Sequence, residues 1–409
     1  MAGLVRYATR FAAVGNRVAR SHLLNKQLPS IQQAAGIQSK AWRELNGIQR
    51  PPPFDYKNKT YSLITSWFDR TTHRFDDNTK LILVEGPLAS GKTEFAKKLA
   101  ADLDMHYIPQ ATMDDVYLND YGYDLRELDH LLPPGAQTFC EKRFVNEPTN
   151  RLTASFQLNM YSLKFHDYLD GLAHLLSTGQ GVIMERSPYS DIVFVDALYK
   201  LNLITKASYK GILETRDNSL PELLKPHLVI YLDVPVNKTL ENIKKRNKNN
   251  EANSPLFKDT KFLEAIEDGY KRNFLRDISS HAELLVYDWS NGGDIELVVE
   301  DIERIDFDHY EKEAEKMKDW RFIRTELDWA ETRETYADER DFLSTYTELP
   351  LFHCPDLCIS AEDEALRNRL YEEFKGSKYA YGYNSDLGDK GILTKTKHLN
   401  SPLKKTWTI

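Results

Sequence analysis

The chain has 409 residues, 41% of them hydrophobic and 28% charged, with a formal net charge of −8. No run approaches the roughly 18 apolar residues that cross a bilayer, and three cysteines are too few for a disulfide framework. Residues 1–43 hold seven Arg and Lys and no acid, so the remainder carries about −15; such a body lacks the concentrated positive charge of a general nucleic-acid-binding surface.

Taken in chain order, residues 1–35 come first. Arg6, Arg10, Arg17 and Arg20 alternate with apolar residues that can share one helical face, and Ser21 follows. An Arg-rich, acid-free segment of this kind reads as a mitochondrial transit peptide; a basic arm is the plainer reading. Residues 36–79 form a connector marked by Pro51-Pro52-Pro53, with a short helix expected around Tyr61–Phe68. Residues 80–300 alternate short apolar runs with amphipathic stretches. The runs are Leu81–Val84, His106–Ile108, Val182–Met184, Leu228–Leu232 and Leu284–Tyr287, and the helical stretches include Glu94–Leu103 and Phe156–Leu176. This alternation predicts an α/β fold with a parallel sheet flanked by helices. Residues 301–409 form a helical and irregular C-terminal extension, with helix expected over 309–345 and Ala361–Phe374, and then a Gly/Tyr-rich, basic tail. It can pack on its own domain or on another subunit. Cys354 and Cys358 flank Pro355 beside His353, and with no second pair to complete a zinc site they read as ordinary loop cysteines.

The sharpest motif is Gly86-Pro87-Leu88-Ala89-Ser90-Gly91-Lys92-Thr93, a full match to G-x-x-x-x-G-K-S/T between an apolar strand and a helix-forming run. Its glycines let successive backbone N–H groups converge on phosphate oxygens. Lys92 adds a full positive charge, and the Thr93 hydroxyl can ligate magnesium. Ala89 and Ser90 belong to the same cradle. Glu185, at the end of the run Val182–Met184, sits where a carboxylate faces the ligand crevice and can hold magnesium or its waters. Arg186 beside it can neutralise a phosphoryl group.

Glu185-Arg186-Ser187-Pro188-Tyr189-Ser190-Asp191 resembles the E-R-S-x-Y-S-D signature of the deoxynucleoside kinase family, and Phe156-Gln157 resembles that family's base-reading glutamine. The resemblance covers about residues 80–300. It implies a P-loop nucleotide-kinase fold binding ATP, ADP or a deoxynucleotide, with magnesium at Thr93 and Glu185. It also implies base contacts from Gln157, Lys164 and Asp191, and lid residues Arg246 and Lys248. Three positions depart from the family. Gln110, in Ile108-Pro109-Gln110-Ala111, stands where active members carry the glutamate that deprotonates the sugar 5′-hydroxyl, and an amide cannot accept that proton. Lys248 replaces a lid arginine and Lys164 a base-side arginine, and lysine lacks the bidentate fork. Asp114 or Asp115 can substitute as base if the loop folds back.

The leader, the segments His174–Asp191 and Pro226–Pro235, and the tail Gly376–Gly391 together resemble a branch of that family, the kinase-like accessory subunits of respiratory complex I. This implies a peripheral subunit on the matrix side of the mitochondrial inner membrane. Its partners would be other complex I subunits, and Glu185, Arg186 and Gln110 would be vestigial catalytic positions. An active mitochondrial deoxynucleoside kinase is the alternative. A flavin (FAD) is attributed to the branch, but nothing in these residues asks for one.

Overall fold

The computed structural model describes residues 36–118, 122–310, 314–348 and 352–374. The leader and the Gly/Tyr-rich tail lie outside the described residues.

All five predicted runs form strands: β1 (Leu81–Glu85), β2 (His106–Ile108), β3 (Val182–Glu185), β4 (Leu228–Asp233) and β5 (Glu283–Asp288). They make one parallel sheet of order β2-β3-β1-β4-β5. Parallel strands need crossovers, and the helices that supply them bury both sheet faces. This is why β1 is apolar from Leu81 to Val84, with all five of its residues, Glu85 included, buried.

On one face α1 (Lys92–Asp102) packs Phe95 and Leu99 against Ile82, Val84, Ile183 and Ile230. The opposite face receives the 26-residue α2 (Thr153–Thr178), α3 (Ile192–Lys200) and α4 (Lys206–Ser219), gathered around Leu83, Met184 and Tyr231. After β4 come α5 (Val236–Arg246) and α6 (Lys261–Asp268). The chain then widens into a π turn over Gly269–Phe274. Beyond β5, α7 (Ile295–Glu303) returns to the α1 face.

Residues 36–79 do more than connect. Ile37 is fully buried in the α1-side core, and the expected short helix is present as Leu63–Ser66, capped by Ser62. The expected helical stretch over 309–345 is broken into Lys318–Phe322, α8 (Glu326–Ala337) and α9 (Arg340–Ser344). One break follows from the extended backbone at Ile323 and the Thr325/Asp328 capping box that starts α8. The other falls at Asp338, whose carboxylate leaves the helix to accept the Tyr61 N–H at 2.8 Å. α8 lies on α2, so this part of the extension packs on its own chain, as does α10 (Ala361–Glu373), preceded by Cys354 and Cys358. Cys354 is buried with its thiol on the Ala207 carbonyl, and Cys358 is exposed.

Arg333 of α8 is fully buried. Its guanidinium stacks 3.6 Å from the Tyr61 ring centroid and 4.6 Å from that of Phe54, and meets Asp69 at 2.9 Å. Asp69 also takes Arg74. A buried charge survives only with such partners, and here they come from the segment before β1. No helix among the described residues is long and apolar enough to cross a membrane.

Candidate functional site

The sheet order puts β1 between β3 and β4, so the loop after β1 opens at the carboxyl edge, where ligands bind in open α/β sheets. Gly86 adopts φ 152, and a Cβ there would lie 2.7 Å from the Leu232 carbonyl; Gly91 adopts φ 83. These two positions let the loop turn beneath α1. Phe95 is the first α1 residue whose N–H reaches a carbonyl of the loop, Gly91 O at 3.2 Å. The amides of the first turn therefore face the loop interior, as at any helix start. Ala89 takes a left-handed φ of 50, and its carbonyl accepts from Asn242 of α5 at 3.2 Å.

Lys92 is 4% exposed. Its ammonium donates to Pro87 O at 2.6 Å and Ser90 Oγ at 3.2 Å. Burial, and secondarily the nearby Arg186 charge, push its pKa well below that of a free lysine. Such an ammonium is poorly compensated until an anion arrives. A phosphate in the loop supplies that anion, so the cradle fits a nucleotide.

The Thr93 hydroxyl donates to Glu185 Oε1 at 2.9 Å, and Tyr107 OH donates to Oε2 at 3.0 Å. Two oxygens sharing one magnesium at right angles lie about 2.9 Å apart, so the Thr93–Glu185 pair fits a cation held jointly. Tyr107 would then orient the carboxylate from behind.

Arg186 is held in the left-handed region at φ 67 and is nearly fully buried. It donates from Nε to Gln110 Oε1 at 3.2 Å and from Nη1 to Tyr270 OH at 2.7 Å, with its guanidinium 4.6 Å from the Phe194 ring centroid. Tyr270, on the π turn, donates to Glu85 Oε2 at 3.1 Å, and Ser187 Oγ donates to Oε1 at 2.8 Å. Glu85 is fully buried, and desolvation raises its pKa against the opposing Arg186 charge. Gln110 thus stands at the proposed acceptor position as a neutral hydrogen-bond acceptor for Arg186. Neither proposed substitute faces it: Asp114 pairs with Arg126 at 2.6 Å, and Asp115 accepts the Thr112 N–H at 2.9 Å.

On the base side, Gln157 Nε2 donates to Asp191 Oδ2 at 2.7 Å, and Lys164 forms an ion pair with Asp191 Oδ1. All three are buried, and Lys164 lies 5.3 Å from the Phe194 ring centroid. The three residues are therefore brought together and satisfy one another. At the expected lid positions, Arg246 forms a fork with Glu251, at 2.6 and 2.8 Å through Nη2, while Lys248 is exposed on the turn that follows.

Sequence reading missed Glu85, Tyr107, Tyr270 and Phe194 as site residues; Ser187 was read only as part of the signature, without a role. Glu85, the one acid ending an otherwise apolar run, carried a signal. Tyr270 carried none, because it reaches Arg186 across 84 residues of sequence.

Comparison with known proteins fits this geometry. The deoxynucleoside kinase family model matches residues 82–321. The mitochondrial NADH dehydrogenase (ubiquinone) 1 alpha subcomplex subunit 10 of Rattus norvegicus is 36% identical over 82% of this chain and 90% of its own length. That of Bos taurus is 32% identical over 80% and 90%. A deoxyguanosine kinase of Dictyostelium discoideum is 26% identical over 61% of this chain and 77% of its own. The alignment with the rat and bovine proteins is too long to be confined to residues 82–321. This chain belongs to the deoxynucleoside kinase family, in the branch of the NADH dehydrogenase 1 alpha subcomplex subunit 10 proteins.

Proposed function

We propose that this chain is an accessory subunit of mitochondrial NADH:ubiquinone oxidoreductase (complex I), peripheral on the matrix side, which supports assembly or stability and retains a nucleotide pocket without catalysing phosphoryl transfer. One observation carries the reading: the NADH dehydrogenase subunit is 36% identical over 82% of this chain and 90% of its own, whereas the kinase relative is 26% identical over 61% and 77%. The Arg-rich leader supports import.

The pocket would bind ATP, ADP or a deoxynucleotide. Gly86, Ala89, Ser90, Gly91, Lys92 and Thr93 would cradle its phosphates. Thr93 and Glu185 would hold magnesium, which when bound spreads the phosphate charge. Lys92 would exchange its Pro87 carbonyl for phosphate oxygen, Arg186 would face the phosphate, and Gln157, Lys164 and Asp191 would meet the base. Arg246 and Lys248 would close from the lid. A Gln110 amide cannot take the sugar proton, so binding would end without transfer. No donor set for a flavin is evident in these residues.

Native gels of mitochondrial membranes test the first half: the protein is expected to migrate with NADH dehydrogenase activity, and migration only as a free species would remove the reading. For the second half, the purified protein is expected to transfer no labelled phosphate to any of a panel of deoxynucleosides.

A further inference from the structure

The short helix Leu63–Ser66 and the residues after it expose a run of large apolar side chains. Ile64 is 71% exposed, Trp67 80% and Phe68 87%; Leu63 and Leu327 of α8 continue the patch. Their exposed area is on the order of 600 Å², given the sizes of such side chains. That equals the largest apolar patch of an ordinary monomer and approaches one side of a standard protein interface. It is not a frayed edge. Ser62 caps the helix, and Tyr61 beneath it is clamped by Arg333.

The border of the patch is acidic. Leu327, Glu331, Glu334 and Asp338 follow one another along one face of α8. Asp338 accepts the Tyr61 N–H at 2.8 Å, and the Leu63 backbone is close enough to the Glu334 carboxylate to favour its charge, so both acids sit against the apolar segment. Glu339 extends the line. The nearby cation Arg70 lies 4.0 Å from Glu326.

We infer that this face docks a protein partner bearing an apolar centre bordered by Lys and Arg, which in the proposed function is another subunit of the complex. Aromatic side chains set in a charged border match the anatomy of a protein interface, and the acids select the sign of the partner. An anionic lipid surface would repel that border. A second copy docked through the same face would set acid against acid. The basic tail of this chain departs from Phe374, which packs on Tyr123. Residues 355–358, which precede α10, are held by Arg151 at the start of α2, while the segment before the patch meets Ser177 at the other end of α2, about 39 Å away at 1.5 Å per residue.

The inference rests on the subunit reading, and the experiment separates the two. The full-length protein carrying Trp67→Glu and Phe68→Glu is expressed in cells lacking the endogenous chain, beside wild type. Wild type is expected on native gels with the NADH dehydrogenase complex. The variant is expected to be depleted from it at least tenfold, while the purified variant melts within about 2 °C of wild type. Wild type migrating alone overturns the subunit reading. Wild type and variant both in the complex overturn only the docking face. A photoreactive benzoylphenylalanine at position 67, in the assembled complex, is expected to cross-link a Lys/Arg-rich segment of another subunit. Cross-links to lipid, to a second copy or to residues 375–409 overturn the assignment.

Discussion

The phosphate half of the candidate site and its acceptor half were built by different means and have fared differently. The phosphate half depends on backbone shape: two glycines at positive φ, the start of α1, and Lys92 folded onto its own loop. The acceptor half depends on single side chains, and there the Gln110 amide stands at the proposed base position while Gln157, Lys164 and Asp191 satisfy each other. A backbone cradle persists as long as the fold does. A proton acceptor depends on one side chain, whose change can leave the fold intact.

The largest expected effect comes from placing a carboxylate at the proposed base position. Gln110→Glu would place it beside Arg186, which keeps it ionised. A working base contributes about 10²- to 10⁴-fold in rate, so labelled phosphate transfer to a deoxynucleoside is expected to rise above the wild-type blank in that range. No rise would mean that the acceptor half lacks more than its base. Next is Lys164→Met, which leaves Asp191 buried with Gln157 alone; a loss of about 3–5 kcal/mol in urea unfolding is expected. Adding Asp191→Asn should recover most of it. Recovery failing would mean that the pair is held by something other than charge.

A third test concerns how β2, which leads to Gln110, is held to α2. His106 and His174 stack with ring centroids 4.2 Å apart. His174 accepts from Tyr56 OH at Nδ1 and faces Gln180 Oε1 from Nε2, an arrangement that suits the neutral ring. Burial first, then the neighbouring His106, lowers its pKa to about 4. The unfolded chain therefore binds the extra proton between about pH 6.5 and pH 4, so the stabilisation is complete above 6.5 and is lost as pH falls through that window. The full effect is about 3 kcal/mol. His174→Gln should flatten the pH dependence of urea unfolding, and an unchanged slope would count against it.

The smallest effect sharpens the phosphate half. A nucleotide at 100 times its dissociation constant adds about 2.7 kcal/mol. Lys92→Met should abolish the corresponding rise in melting temperature, yet raise the melting temperature of the nucleotide-free protein by removing a buried, poorly compensated charge. A variant that still responds to nucleotide would show that backbone amides alone suffice.

How much of this was legible follows from how local each feature is. Strands buried on both faces must be continuously apolar, and β1, β3 and β4 stood out for that reason, whereas the edge strands β2 and β5 are only partly buried. The P-loop and Glu185-Arg186-Ser187 announce themselves because their chemistry needs neighbours in sequence. What stayed hidden was assembled from a distance. Arg333 reads as one more surface charge on a polar helix, yet it is wholly interior. Tyr107 looks like an ordinary strand residue and turns out to hold Glu185. Residues 36–79 looked like a tether because their partners, Glu303, Glu326, Arg333 and Asp338, lie beyond residue 300.

That last arrangement constrains how the protein is made. Thr72 waits for Glu326 across 254 residues of chain, which at 5–20 residues per second takes on the order of 13–50 s of synthesis. Until then Tyr61 and Phe54 have no guanidinium to stack on. Residues 54–72 therefore complete their contacts only after residues 326–338 have been made, so this segment is expected to gain protection late in synthesis.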